Sequence, residues 1–208
     1  KPGWRQVVPA IAKAWLGIVL LGSAAFASAG WPDLLRGWIG MLGVILMLHF
    51  GIFDFLSWVW RRSGVDARPL MDKPLASVAL SEFWGRRWTT AFRDLTYQFL
   101  FRPLTARFGG RWALAIGFIV SGLVHDLVIS LPAKQGYGGP TLYFVLQGTG
   151  LLLERSRPGR KLGLGVGLRG RCCTLLALIL PVPLLFHPPF VRQIVLPMLD
   201  FLKEISHA

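Results

Sequence analysis

The sequence predicts an all-α, polytopic transmembrane helical protein with about five spans plus an amphipathic helix on the cytosolic side. Three observations carry this prediction. Hydrophobic residues make up 53% of the 208, and the mean hydropathy is +0.53. These residues gather in runs that approach the ~20 needed to cross a bilayer, with few charges inside them. The nine tryptophans often stand near the ends of the runs, where indole rings suit a membrane interface.

Taken in order, the first span runs from about Pro9 to Ala29 and is closed by the turn "AGWPD". The second runs from about Arg36 to Trp60, and a basic segment follows over residues 61–110. The third is Arg111 to Leu131, ended by the Gly- and Pro-rich "PAKQGYGGP". The fourth, Thr141 to Leu153, has 13 residues before Glu154 and reads as short, tilted or partly buried. The fifth runs from Cys172 to about Phe186, with Pro181 and Pro183 expected to kink it. Residues 190–202 suit either an interfacial helix or a further span. The chain starts at Lys1 rather than Met, with no cleavable signal pattern before the first run. It therefore reads as a single membrane domain over residues 1–208, part of a longer or processed protein.

Charge orients the bundle. With the N-terminus, residues 61–111 and residues 154–171 on one side, that side holds 19 of the 23 Lys and Arg. The count includes Lys1, Lys13 and Arg68. The positive-inside rule makes that side cytosolic. The formal charge of +13 is then a topology signal with some attraction to anionic lipid heads, and it calls for no nucleic-acid partner. Cys172 and Cys173 are adjacent, so their side chains diverge too far to bridge. They read as small apolar residues at a helix start, with a lipidated thiol as the lesser alternative.

Four stretches carry candidate chemistry. In "SEFWGRRWTTAFRDLTYQFLFRP", read as one helix, Arg86, Thr90, Arg93 and Tyr97 line one face. Trp84, Trp88, Phe92, Leu95 and Phe99 line another, and Pro103 ends the element. Such a helix suits a membrane surface. Alternatively Arg86, Arg87 and Arg93 hold an anionic, phosphate-bearing substrate. In "VSGLVHDLVIS", His125 lies about 21 Å along the third span. An ionisable group at that depth marks a functional path, or is a neutral imidazole bonded across helices. Asp126, about 100° further round the helix, pairs with an Arg or caps another element. His49, followed by Asp54 in the second span, is open to either kind of role, and His187 and His207 at span ends carry little information. "GVGLRG" fits G-x-G-x-x-G, but it sits in a basic loop without the strand a dinucleotide site needs. No metal-ligand cluster, P-loop or nucleophile elbow appears.

"PLMDKPLASVALSEFWGRRW", followed some thirty residues later by "VSGLVHDL", resembles the wax-synthase-like branch of the membrane-bound O-acyltransferase superfamily. Pro69, Pro74, Leu80, Phe83, Trp84, Gly85, Arg86, Arg87 and Trp88 stand in matching places, and the likeness extends from about His49 to His187. The resemblance implies transfer of an acyl group from acyl-CoA, a co-substrate, to the hydroxyl of a lipid-like alcohol in a chamber within the bilayer. It implies no other cofactor and no metal. By resemblance His125 is the general base, and Thr89 holds a second active-site position that usually carries Asn or His. Arg86, Arg87, Trp88, Arg93 and Asp126 form the candidate substrate-binding set. The departure at Thr89 keeps a second reading open, an inactive relative that binds lipid or a membrane partner. A third, a transporter with His49 and His125 on a proton path, lacks the interrupted half-helices such proteins use.

Overall fold

The computed structural model describes residues 3–27, 30–67 and 69–206, the side chains of Ala91 and Phe92 excepted. Lys1, Ala29, Arg68, His207 and the Phe92 side chain, which entered the assignments above, lie outside the described residues. The described residues are mostly helical, with no strand among them. In chain order α1 is Val8–Ala25 and α2 is Asp33–Arg62. The motif opens with a single turn, Leu80–Glu82, and a π-helical turn, Phe83–Arg87. Residues 90–108 form α3, Gly110–Ala133 form α4, and Gly139–Arg155 form α5. Gly167–Ile179 is α6, and residues 188–205 form α7.

Trp4–Ala25, Asp33–Arg62, Gly110–Ala133 and Gly167–Leu185 are each long and apolar enough to cross a bilayer. Each is mostly unburied within the fold, so its apolar surface is left for lipid. The chain is an integral membrane protein. The remaining apolar helix, α5, differs in kind. It has 17 residues and seven of them are buried. At about 26 Å it is shorter than the hydrocarbon core. It continues through Glu154, where the sequence suggested an end, because that carboxylate is taken up by donors of another element.

The chain divides into two compact units. The first comprises residues 1–71 and 188–208. Its α1 and α2 meet through small residues: a Cβ added to Gly17 would lie 2.5 Å from the Met47 backbone nitrogen and 2.7 Å from the Gly43 carbonyl. Close backbone approach of this kind drives helix association in lipid, where burial of apolar surface alone does not. Arg36 donates from Nε to the Ala24 carbonyl at 2.8 Å, satisfying an otherwise open C-terminal carbonyl of α1, and pairs with Asp200 of α7. Val191 and Leu199 of α7, both fully buried, fill the space left by Gly37 and Gly40 of α2. Lys13, which the charge count assigned to the cytosolic side, pairs with Asp54 across α1 and α2 at 2.6 Å. It neutralises a carboxylate inside the bundle and is not a loop charge.

The second unit, residues 72–187, is built on α4 and α5. Gly122 of α4 lies against the Thr141 backbone, and Gly148 of α5 against the Phe118 ring. Leu80, Phe83, Leu114, Leu151 and Leu178 form a buried cluster, with Trp84 and Trp88 packed against it. The motif is therefore part of this core.

One sequence expectation fails here. The FWGRRW stretch and α3 are not one amphipathic helix. Trp88 is extended (φ −103°, ψ 128°), and Thr89 is left-handed (φ 43°, ψ 58°). The break is possible because the carbonyls it orphans find other donors. Gly85 O accepts from Arg93 Nη1 at 2.8 Å, and Arg87 O accepts from the Asp72 N–H at 2.9 Å. As a result Arg86, Thr90, Arg93 and Tyr97 do not share a helical face.

Candidate active site

His125 is half-buried in the last α-helical turn of α4, just before the π-helical turn Asp126–Ser130. Its Nδ1 lies 2.7 Å from the Ser121 carbonyl oxygen. A carbonyl can only accept, so Nδ1 carries a proton, and in the neutral imidazole Nε2 is then the nitrogen with the lone pair. That is the tautomer a general base needs. The imidazole packs on Phe144 of α5, ring centroids 4.4 Å apart and planes tilted by 43°.

Phe144 links the histidine to the motif. It is buried, and its ring also meets Trp84 at 5.7 Å. Trp84 stands edge-on to Phe118 at 5.7 Å and to Phe83 at 5.1 Å, and Trp88 stacks on Phe83 at 5.2 Å. An unbroken aromatic wall thus runs from Trp88 to His125. Gln147, 1% exposed, fixes its middle: Oε1 accepts from Trp84 Nε1 at 3.4 Å, and Nε2 donates to the Ala177 carbonyl at 2.7 Å. Residues 67–146 match the membrane-bound O-acyltransferase family, a stretch that holds both the motif and His125.

The chain is similar to that family over this stretch.

Its relatives include a probable long-chain-alcohol O-fatty-acyltransferase of Arabidopsis thaliana, 30% identical over 149 residues, 62% of this chain and 42% of the relative. The long-chain-alcohol O-fatty-acyltransferase of Simmondsia chinensis is 33% identical over 100 residues, 44% of this chain and 28% of that protein. An acyl-CoA–sterol O-acyltransferase of Arabidopsis thaliana is 33% identical over 73 residues, 32% of this chain and 21% of the relative. The chain spans less than half the length of these curated relatives. No solved structure matches it.

The other predicted site residues fall into different roles. Asp126 caps α5: it accepts from the Gly138 N–H at 2.9 Å, the Thr141 N–H at 3.1 Å, the Thr141 hydroxyl, and Ser130 Oγ at 2.8 Å. Arg87 is a staple. It donates to Glu82 at 2.8 Å and to the Asp72 carbonyl at 3.1 Å, tying the lead-in to the motif. Arg93 closes the break at Gly85 and pairs with Asp94. Arg86 is exposed, and its guanidinium makes no ion pair among the described residues. Thr89 is half-buried at the head of α3. Its left-handed backbone is one that Asn and His adopt more readily than a β-branched residue does.

His49 belongs to the first unit, in the π-helical turn Leu46–Ile52, edge-on to Phe53. Its Nδ1 is buried with no hydrogen-bond partner among the described residues. In "GVGLRG", Gly165 and Gly167 take positive φ where the chain turns into α6, and Gly170 lies against the Val78 carbonyl. The glycines serve this turn and contact, and among the described residues no strand makes a dinucleotide site. Among the described residues no three His, Cys, Asp or Glu side chains cluster to hold a metal.

Sequence reasoning missed Phe144, Gln147, Glu154 and the Ser130–His187 pair. Glu154 accepts from the Leu80 N–H at 2.6 Å and the Ser81 hydroxyl at 2.5 Å, capping the motif's first turn. Ser130 Oγ lies 3.1 Å from His187 Nε2, and both residues are buried. For Ser130, Gln147 and Glu154 the available signal was a polar residue inside an apolar helix, the same signal that singled out His125, whereas Phe144 carried none.

Proposed function

We propose that the protein is an O-acyltransferase that moves a fatty acyl group from acyl-CoA to the hydroxyl of a lipid-like alcohol, with His125 as general base. The observation that carries the reading is the Nδ1–H bond to the Ser121 carbonyl, which leaves the Nε2 lone pair for the acceptor. Nε2 takes the alcohol proton as the oxygen attacks the thioester carbonyl. The tetrahedral intermediate collapses, the C–S bond breaks, and the imidazolium returns the proton to the departing thiolate. The ester and free CoA leave, and no net proton is consumed. Thr89, by resemblance, donates its hydroxyl to the carbonyl oxygen as charge develops there. Trp88 and the wall around Phe144 suit an apolar chain, and Arg86 remains a candidate for an anionic group on the donor. The acceptor class follows the fatty-alcohol names of the relatives. The basic loops face the cytosol in this reading, where CoA is found.

The test is acyl transfer in membranes, with labelled acyl-CoA and a panel of long-chain alcohols and sterols. His125→Ala is expected to remove at least ~99% of turnover, in line with loss of a general base. Equal product from the variant and the wild type sinks the assignment. The alternative, an inactive relative that binds lipid or a partner, is motivated by Thr89. It predicts no turnover from the wild type and none from Thr89→Asn, with lipid binding retained.

A further inference from the structure

At the end of α4 and α5 remote from His125, the second unit holds a cleft of about 720 Å³. Arg111, Arg155, Arg157 and Arg160 line it together with Phe101 and Leu114, and no acidic residue does. None of the four guanidiniums enters an ion pair among the described residues. All four are exposed, and no ion pair among the described residues offsets the repulsion of these like charges around one hollow. An anionic ligand would.

The cleft rests on an ordered frame. Arg155 ends α5, and Arg157 and Arg160 follow on the short helical turn Arg157–Lys161. Ser156 holds that turn: its Oγ accepts from the Gly159 N–H at 3.1 Å and donates to the Leu153 carbonyl at 2.6 Å. Gly159 lies so close to the Leu153 carbonyl that any side chain there would collide with it. From the other wall the first turn of α4, at Gly110 and Arg111, presents open backbone N–H groups.

Guanidinium forks match phosphate oxygens two by two, and the apolar surface of Phe101 and Leu114 suits a ring or chain attached to the phosphate. The volume is that of an ordinary ligand site. We propose that this cleft binds the phosphate groups of an amphiphile, with its apolar portion laid against Phe101 and Leu114. The inference rests on the proposed reaction where that amphiphile is acyl-CoA. Between Arg111 and His125 the axis of α4 covers about 21 Å, the stretch an extended donor arm would bridge from phosphate to thioester. An anionic phospholipid headgroup offers the same chemistry.

The experiment uses the protein in phosphatidylcholine nanodiscs and a non-reactive thioether analogue of a long-chain acyl-CoA. A second arm measures retention of phosphatidylglycerol by native mass spectrometry. The Arg157→Gln/Arg160→Gln double variant is expected to bind the analogue at least ~10-fold more weakly, while Arg157→Lys/Arg160→Lys, which keeps charge but not the fork, falls between. His125→Ala should bind as the wild type does. Weakened analogue binding assigns the cleft to the donor. Loss of phosphatidylglycerol with analogue binding intact assigns it to a lipid headgroup. Wild-type behaviour of the double variant in both arms overturns the proposal. A wild type that binds the analogue through these arginines yet transfers no acyl group upholds the cleft and overturns the reaction.

Discussion

Removing the Glu154 carboxylate should loosen the motif from a distance of more than sixty residues along the chain. Glu154 is 9% exposed. It accepts from the Leu80 N–H at 2.6 Å, the Ser81 N–H at 3.3 Å and the Ser81 hydroxyl at 2.5 Å. In Glu154→Ala the two backbone donors lose their acceptor in a place that water reaches poorly. Each such loss costs ~1–3 kcal/mol, so the total is ~3 kcal/mol once partial hydration is allowed. For a chain of this size that lowers the melting temperature by ~6–12 °C. Glu154→Gln keeps one acceptor oxygen and should lose ~half as much. Amide exchange reads the effect locally: the Leu80 and Ser81 amides should exchange ~100-fold faster in the alanine variant. If both variants melt with the wild type and the protection of those amides is unchanged, the cap does not hold the motif and the reasoning is wrong.

Thr89→Asn should raise the melting temperature by ~2–4 °C, since a left-handed backbone costs a β-branched residue ~1 kcal/mol that Asn largely avoids. Thr89→Val should give no such gain, and equal melting of the two variants refutes the strain argument. The Glu82 carboxyl is held below its ordinary value of 4.5 by the Val78 backbone N–H, then by Arg87. Its contribution is therefore complete above that ordinary value and is lost as pH falls through the depressed one. Melting temperature against pH should fall through this acid range in the wild type and more shallowly in Glu82→Gln; parallel curves count against the Arg87 staple. Gly17→Leu should separate α1 from α2 and destabilise the first unit by ~1–3 kcal/mol, measured as increased proteolysis between α1 and α2. Unchanged cleavage would mean the close approach is not required.

The sequence by itself determined the all-α membrane class and singled out His125 as an ionisable residue within an apolar run. These depend on local quantities: hydropathy summed over ~20 residues, turn residues at the ends, and one ionisable side chain where lipid allows few. It also left Asp126 two roles, one of which, capping another element, is the role it fills. The tertiary structure alone decided what depends on partners distant in the chain. The FWGRRW stretch has the periodicity of a continuous helix, yet it breaks at Trp88 and Thr89 because Asp72 and Arg93 satisfy the freed carbonyls. Arg87 reads as a free cation until Glu82 and the Asp72 carbonyl are beside it. Glu154 reads as a helix stop until the Leu80 and Ser81 donors fold onto it. Phe144 is one apolar residue among many until α5 sets it between Trp84 and His125. Hydropathy is a sum over neighbours in sequence, whereas a hydrogen bond or a ring contact belongs to a pair, and only folding chooses the pairs.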